Sequence, residues 1–170
     1  MAKTIQAEIK QKRPFGTLEE EAFIALLRTA DVLQWRGGEM LKHHGLSPTQ
    51  YNALRILRGA GAEGLPCSEI GERMINRDPD ITRLLGRLER GGLARRKRQQ
   101  KDRRVIRACI TPAGLALLKK LDRPVVSLNR QLLGHLGKER LQSLISLLGT
   151  ARERAVSRIR NQKNSQEEKQ

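Results

Sequence analysis

Apolar residues recur at helical spacing from Leu18 to Lys42, with Phe23, Leu26, Leu27, Ala30 and Leu33 on one stripe, until Gly45 breaks the pattern. The next five residues, LSPTQ, announce a second helix: Ser47 as N-cap, Pro48 at the first helical position and Gln50 completing a capping box. That helix is expected to reach about Gly59 and to bury Tyr51, Leu54 and Leu57. GAGAEG reads as a loop, Leu65 as a short strand, and a third helix begins near Pro66 with Ile70 and Met74 facing inward. The fourth helix has the sharpest division of faces. Asp78 is its expected cap and Pro79 its first residue, and Ile81, Leu84, Leu85 and Leu88 follow the i, i+3, i+4, i+7 pattern before Gly91-Gly92 ends it. At about 100° per residue, the opposite face carries Pro79, Arg83, Gly86 and Arg90, with Thr82 and Arg87 on its flanks.

Two strand-like runs follow, Leu93–Arg98 and Arg104–Ile110, joined by Gln99–Arg103 as a hairpin with a basic tip. Thr111-Pro112 repeats the cap-and-proline start, and Leu118, Leu121, Val125, Leu128 and Leu132 form a coiled-coil-like seam. Pro124 lies inside that seam and is expected to kink or split the helix. A last helix carries Leu141, Leu144, Ile145, Leu148 and Ala155 on one side. The predicted fold is mainly α with a small β wing. Residues 46–111 form a winged helix-turn-helix, and residues 17–45 and 112–160 a helical region for dimerisation. Residues 1–16 read as a flexible basic arm, and residues 161–170, which lack any apolar group, as a disordered tail.

Charge gives this pattern a direction. Of 170 residues, 34 are Lys or Arg and 18 are Asp or Glu, a net charge of +16. Roughly half of that excess falls between Arg73 and Arg107, about a fifth of the chain, which favours a binding face for a polyanion over a generally solvated surface. An arginine at the leading end of the fourth helix can donate two hydrogen bonds to a guanine edge in the major groove, and wing arginines can reach phosphates or a narrow minor groove. The expected DNA-contacting set is therefore Pro79, Thr82, Arg83, Arg87 and Arg90 on the helix, with Arg98, Lys101, Asp102, Arg103 and Arg104 on the wing. Asp102 is the odd member, a carboxylate inside a run of cations. Its expected role is to hold the Arg104 guanidinium in place before DNA arrives; the plainer reading is a turn residue.

The stretch DRRVIRACIT resembles the D-x-R-x5-[LI]-T wing signature of the MarR family of transcription regulators, and DPDITRLLGRLERGGLARR resembles that family's recognition helix and first wing strand. The resemblance spans about Leu18 to Ile159 in the family's element order. It implies a winged-helix homodimer on pseudo-palindromic duplex DNA, usually a repressor released by a ligand or an oxidant. Carried over by position, Arg83 and its neighbours read the major groove, and Asp102 and Arg104 form the wing-tip pair. Gly86 departs from the pattern, because relatives often have Asp or Asn there. Effector-binding relatives hold small anionic aromatics between the dimer helices and the DNA-binding lobe. Trp35, Arg36, Met40 and His43 are the matching candidates here, although an ordinary reading puts Trp35 in the core and His43 at the surface.

Other chemistries find little support. Cys67 and Cys109 make neither a disulfide framework nor a zinc site. A helix N-terminus lowers a thiol pKa, which makes Cys67 the candidate for a redox-responsive alternative; both cysteines otherwise read as packing residues. His43, His44 and His135 show no metal spacing, and no nucleophile or phosphate-loop motif is present, so neither an enzyme nor a cofactor or metal is expected. A non-specific RNA-binding or architectural protein is the remaining alternative, but aromatics are only 2% of the chain and base stacking on aromatics is the usual RNA mode. No apolar run is long enough to span a membrane and MAKTIQAEIKQKRPFG has no apolar signal core, so a cytoplasmic location is expected.

Overall fold

The computed structural model describes residues 3–76, 80–98 and 106–167. Helix α1 covers Ile5–Glu8, α2 Leu18–Lys42, α3 Pro48–Ala60, α4 Cys67–Arg73 and α5 Ile81–Arg90. Helix α6 covers Pro112–Leu133, and a short 3-10 turn, Gly134–Leu136, separates it from α7, Gly137–Glu167. Strands β1 (Leu65–Pro66), β2 (Ala94–Arg98) and β3 (Ile106–Ile110) form one antiparallel sheet in the order β1-β3-β2. Leu65 pairs with Ala108, and β2 pairs with β3 from Ala94–Ile110 out to Arg98–Ile106. The chain divides into two compact units, Met1–Val125 and Val126–Gln170.

Local chemistry accounts for most of the boundaries. The Ser47 hydroxyl accepts from the Gln50 N–H at 3.2 Å while the Gln50 side chain accepts from the Ser47 N–H at 2.9 Å, the reciprocal pair expected of a capping box. Thr17 caps α2 through the Glu20 N–H, and the Glu20 carboxylate in turn accepts from Gly16 N. The first unit's core is aliphatic, with Leu54, Leu57, Ile70, Leu85, Leu88, Leu118 and Leu121 fully buried. Each is worth about 1.5–3 kcal/mol by removal of its side chain from water. Arg58 of α3 donates two bonds to the Asp122 carboxylate of α6, at 2.9 and 3.0 Å, a bidentate brace on the rim of that core.

Four expectations change. The N-terminal arm contains a helical turn, because Thr4 offers its hydroxyl to Ala7 N and starts α1. Residues 161–167, expected to be a disordered tail, continue α7. Extending an existing helix adds a hydrogen bond for each residue fixed and needs no apolar stripe. Pro124 does not split α6, which runs on to Leu133; the break comes at Gly134–Leu136, closed by Gly137 at φ 73°. Finally α5 begins at Ile81 and is capped by Asp80, whose carboxylate accepts from Arg83 N at 2.9 Å. The cap expected at Asp78 and the start expected at Pro79 lie outside the described residues.

Candidate nucleic-acid interface

Helix α5 is held on three sides. Leu84, Leu85 and Leu88 fill the core beneath it, Ile81 lies 3.3 Å from where a Cβ on Gly71 of α4 would stand, and β2 flanks its end. This support leaves one face outward. Thr82, Arg83, Arg87 and Arg90 are all exposed on it, as the helical spacing expects. Asp80 occupies the Arg83 backbone N–H and leaves its side chain at the leading end of the helix. Arg90 folds back along the helix, its Nε donating to the Gly86 carbonyl at 3.3 Å. On the wing, Ala94 is buried while Arg95, Arg96, Lys97 and Arg98 are exposed. Lys101, Asp102, Arg103 and Arg104, with Pro79 on the helical side, lie outside the described residues.

Not every cation in the basic stretch faces outward for a partner. Arg107 donates to the carbonyls of Glu63 and Gly64, at 3.1 and 2.8 Å, and fastens β3 to the loop before β1. Arg73 pairs with Glu69 along α4. Arg96 is bound most completely: its main-chain N–H donates to Glu89 Oε1 at 3.0 Å, and its guanidinium reaches Oε2 at 2.8 and 2.7 Å. Glu89 thereby ties α5 to β2, joining the arginine-bearing helix to the cationic strand. The sequence pattern alone assigned Glu89 no role. Its spacing of seven from Arg96, across the Gly91-Gly92 turn, was the available signal.

These bonds favour the charged carboxylate. The Arg96 backbone N–H, and then its side chain, hold the Glu89 carboxyl below its ordinary range. A depressed folded value contributes stability above the unfolded pKa, about 4.3, and that contribution disappears as pH falls through the folded value. Glu89→Gln is therefore expected to melt below the wild type by a constant margin from pH 7 to about pH 5, with the margin closing in acid below about pH 4. Melting curves of both proteins across that range check it, and a margin unchanged in acid would show that the carboxylate's charge is not what ties the wing.

Burial pushes the Cys67 thiol pKa up, against the opposing pull of Arg96, and the helix that this residue opens does not reverse that direction. A raised pKa is the reverse of what a reactive thiolate needs. Cys109 is buried in β3. Of the effector candidates, Trp35 is 61% exposed rather than in the core, Arg36 and His43 are exposed, and Met40 packs against the buried cluster. A cavity of about 110 Å³ does open between α2, α3 and the end of α4, but it is lined by Gln34, Asn52, Met74 and Ile75 among others, and by none of those four. Among the described residues no group of three or more His, Cys, Asp or Glu could hold a metal, and no helix is long and apolar enough to cross a membrane.

A helix-turn-helix carried on a three-stranded sheet, with an arginine-bearing second helix and a cationic strand beside it, defines a winged helix-turn-helix protein. The MarR family profile matches residues 44–105, from the capping segment to the wing. The regulator MhqR of Bacillus subtilis is 32% identical over 99 residues, covering 58% of this chain and 67% of that protein. The homoprotocatechuate degradative operon repressor of Escherichia coli is 27% identical over 131 residues, 77% of this chain and 87% of that one. The crystal structure of a MarR transcription factor from Planctomyces limnophilus superposes with a TM-score of 0.63 at 40% identity, over 81% of this chain and 99% of the other. The chain belongs to the MarR family of transcription regulators.

Proposed function

We propose that this protein is a homodimeric, sequence-specific regulator of transcription that binds pseudo-palindromic duplex DNA through α5 and the wing. It acts as a cytoplasmic repressor released by a small ligand, and not as an enzyme. The observation that carries the reading is the face of α5: Thr82, Arg83, Arg87 and Arg90 exposed together on a helix whose other side is locked into the core. That arrangement suits a helix seated in the major groove, with Arg83 at the leading end to meet a guanine. Arg98 extends the cationic surface onto β2; the hairpin pattern assigns Lys101 and Arg103 to the wing tip, and the family resemblance assigns the Asp102–Arg104 pair there. Repression is supported by the name of the Escherichia coli relative, an operon repressor. A dimer is supported by apolar side chains left at the surface of a single chain, including Leu18 and Phe23 of α2 and Ile145 and Leu147 of α7.

The test is selection of bound fragments from genomic DNA, including the protein's own upstream region, followed by Arg83→Ala on the selected site. The variant is expected to lose about 1–3 kcal/mol of binding and to relax preference at one base pair per half-site, with little change on random duplex. Equal loss on random DNA would make Arg83 a phosphate contact. Absence of any enriched fragment, with structured RNA competing as well as duplex, would favour the non-specific nucleic-acid reading.

A further inference from the structure

The centre of the arginine face of α5 holds no side chain at all. Gly86 stands between Arg83 and Arg90 on the same face, with Thr82 and Arg87 to either side. Glycine in a helix interior is about 0.5–1 kcal/mol less favourable than alanine. Nothing among the described residues asks for it here. A Cβ on Gly86 would meet no atom of the described residues within 4 Å, and its backbone is ordinary helix, without positive φ. Gly64 and Gly114 differ in this respect, because a Cβ on either would run into neighbouring backbone. Gly59 in α3 shares the open surroundings of Gly86 but lies away from this face.

The neighbours make the gap a shaped one. Arg90 lies along the helix with its Nε on the Gly86 carbonyl, so the guanidinium borders the bare backbone. Arg83 borders it from the leading end. The result is a notch in the helix surface, walled by cations and floored by Cα and a carbonyl. Accepting the reading of α5 as the DNA-reading helix, on which this step rests, we infer that Gly86 is the point of closest approach to the DNA. The notch admits a base-pair edge in the major groove, with a thymine methyl against the Gly86 Cα as the fitting apolar contact. Gly86 is thus a specificity-determining position: any side chain there holds α5 away from the base edges that Arg83 must reach.

The experiment compares Gly86→Ala with Gly59→Ala, using the full-length protein and the fragment chosen by the wild type. Both variants are expected to melt at or above the wild-type temperature, since each replaces an open helical glycine. Gly86→Ala is expected to bind the selected duplex about tenfold or more weakly while binding random duplex unchanged, and Gly59→Ala to bind both as the wild type does. Repeating the selection with Gly86→Ala should change the preferred base at one position per half-site. Wild-type affinity of Gly86→Ala for the selected site overturns the inference; if Arg83→Ala still relaxes specificity, the DNA-reading role of α5 stands without it. Equal weakening on random DNA also overturns it, since the notch would then meet the phosphate backbone rather than a base. A Gly86→Ala protein that melts well below the wild type would contradict the open surroundings from which the inference starts.

Discussion

Gly64→Ala and Gly114→Ala are expected to melt about 6–12 °C below the wild type, and in a marginal host to fail to accumulate. Gly64 sits at φ 62°, where an alanine costs about 1–2 kcal/mol by backbone sterics alone. Its new Cβ would also land on the Ala108 carbonyl oxygen and 2.6 Å from Cys109 Sγ, in the middle of β3. Gly114 collides for a different reason. Thr111 N donates to the Leu93 carbonyl at 3.0 Å, Thr111 Oγ1 donates to the Gly92 carbonyl at 2.7 Å, and Gly114 N donates to Thr111 Oγ1 at 3.1 Å. Those bonds draw the first turn of α6 onto the base of the wing, so a Cβ on Gly114 would strike the Leu93 carbonyl and come within 2.8 Å of Ile110 Cγ1. Backbone does not swing aside as a side-chain tip does, and overpacking of this kind costs about 1–3 kcal/mol or more. Gly59→Ala is the control, since open space surrounds it and the helix gains from the change. Equal melting of Gly64→Ala and Gly59→Ala would mean that β3 does not lie against the loop as described.

What could be read from the chain beforehand, and what could not, follows the range of the interactions. The capping box of Ser47 and Gln50 is a contact between residues three apart, and it is legible because its chemistry is complete in five letters. The apolar faces of α3 and α5 were legible for the same reason: a single period links Leu54 with Leu57, and Leu84 and Leu85 with Leu88. The cap that α5 uses, the Asp80 carboxylate accepting from Arg83 N, follows Pro79 directly and was not named from the pattern. The Glu89–Arg96 tie depends on how β2 returns beside α5, of which the spacing of seven across Gly91-Gly92 is only a faint trace. Trp35 was harder still. A large aromatic at helical spacing ordinarily marks a core position, yet Trp35 is 61% exposed in the single chain, and spacing alone does not separate the two. The exposed arginines of α5 were legible as a face, because exposure and periodicity are both local, whereas the open surroundings of Gly86 needed the distances from its described neighbours.

Charging the apolar surface of α7 is expected to have the largest effect on function. Of the periodic set on one side of α7, Leu144 and Leu148 are half-buried within the single chain. Ile145 and Val156 are 67% and 48% exposed and lie within about 20° of each other around the helix, so Asp at these two positions charges one face and asks little of the isolated protomer. In a two-fold interface each substitution enters twice, and four carboxylates would be drawn out of water with no partner on the opposing surface. The effective penalty is several kcal/mol per buried ion, enough to raise the dimer dissociation constant by at least about 1,000-fold. The Ile145→Asp/Val156→Asp protein should therefore scatter light as a monomer at micromolar concentration while keeping its helical content. DNA binding should fall with it. Two linked recognition helices engage two half-sites with an effective concentration that single chains lack, and losing that linkage costs about 10²–10⁴ in apparent affinity. Arg83→Ala separates the two effects, since it should remain dimeric and lose base preference, whereas the doubly charged variant should keep its preference within one half-site and lose affinity for the pair. A wild-type protein that scatters as a monomer would remove the dimer altogether; a charged variant that remains dimeric would move the interface off this face of α7.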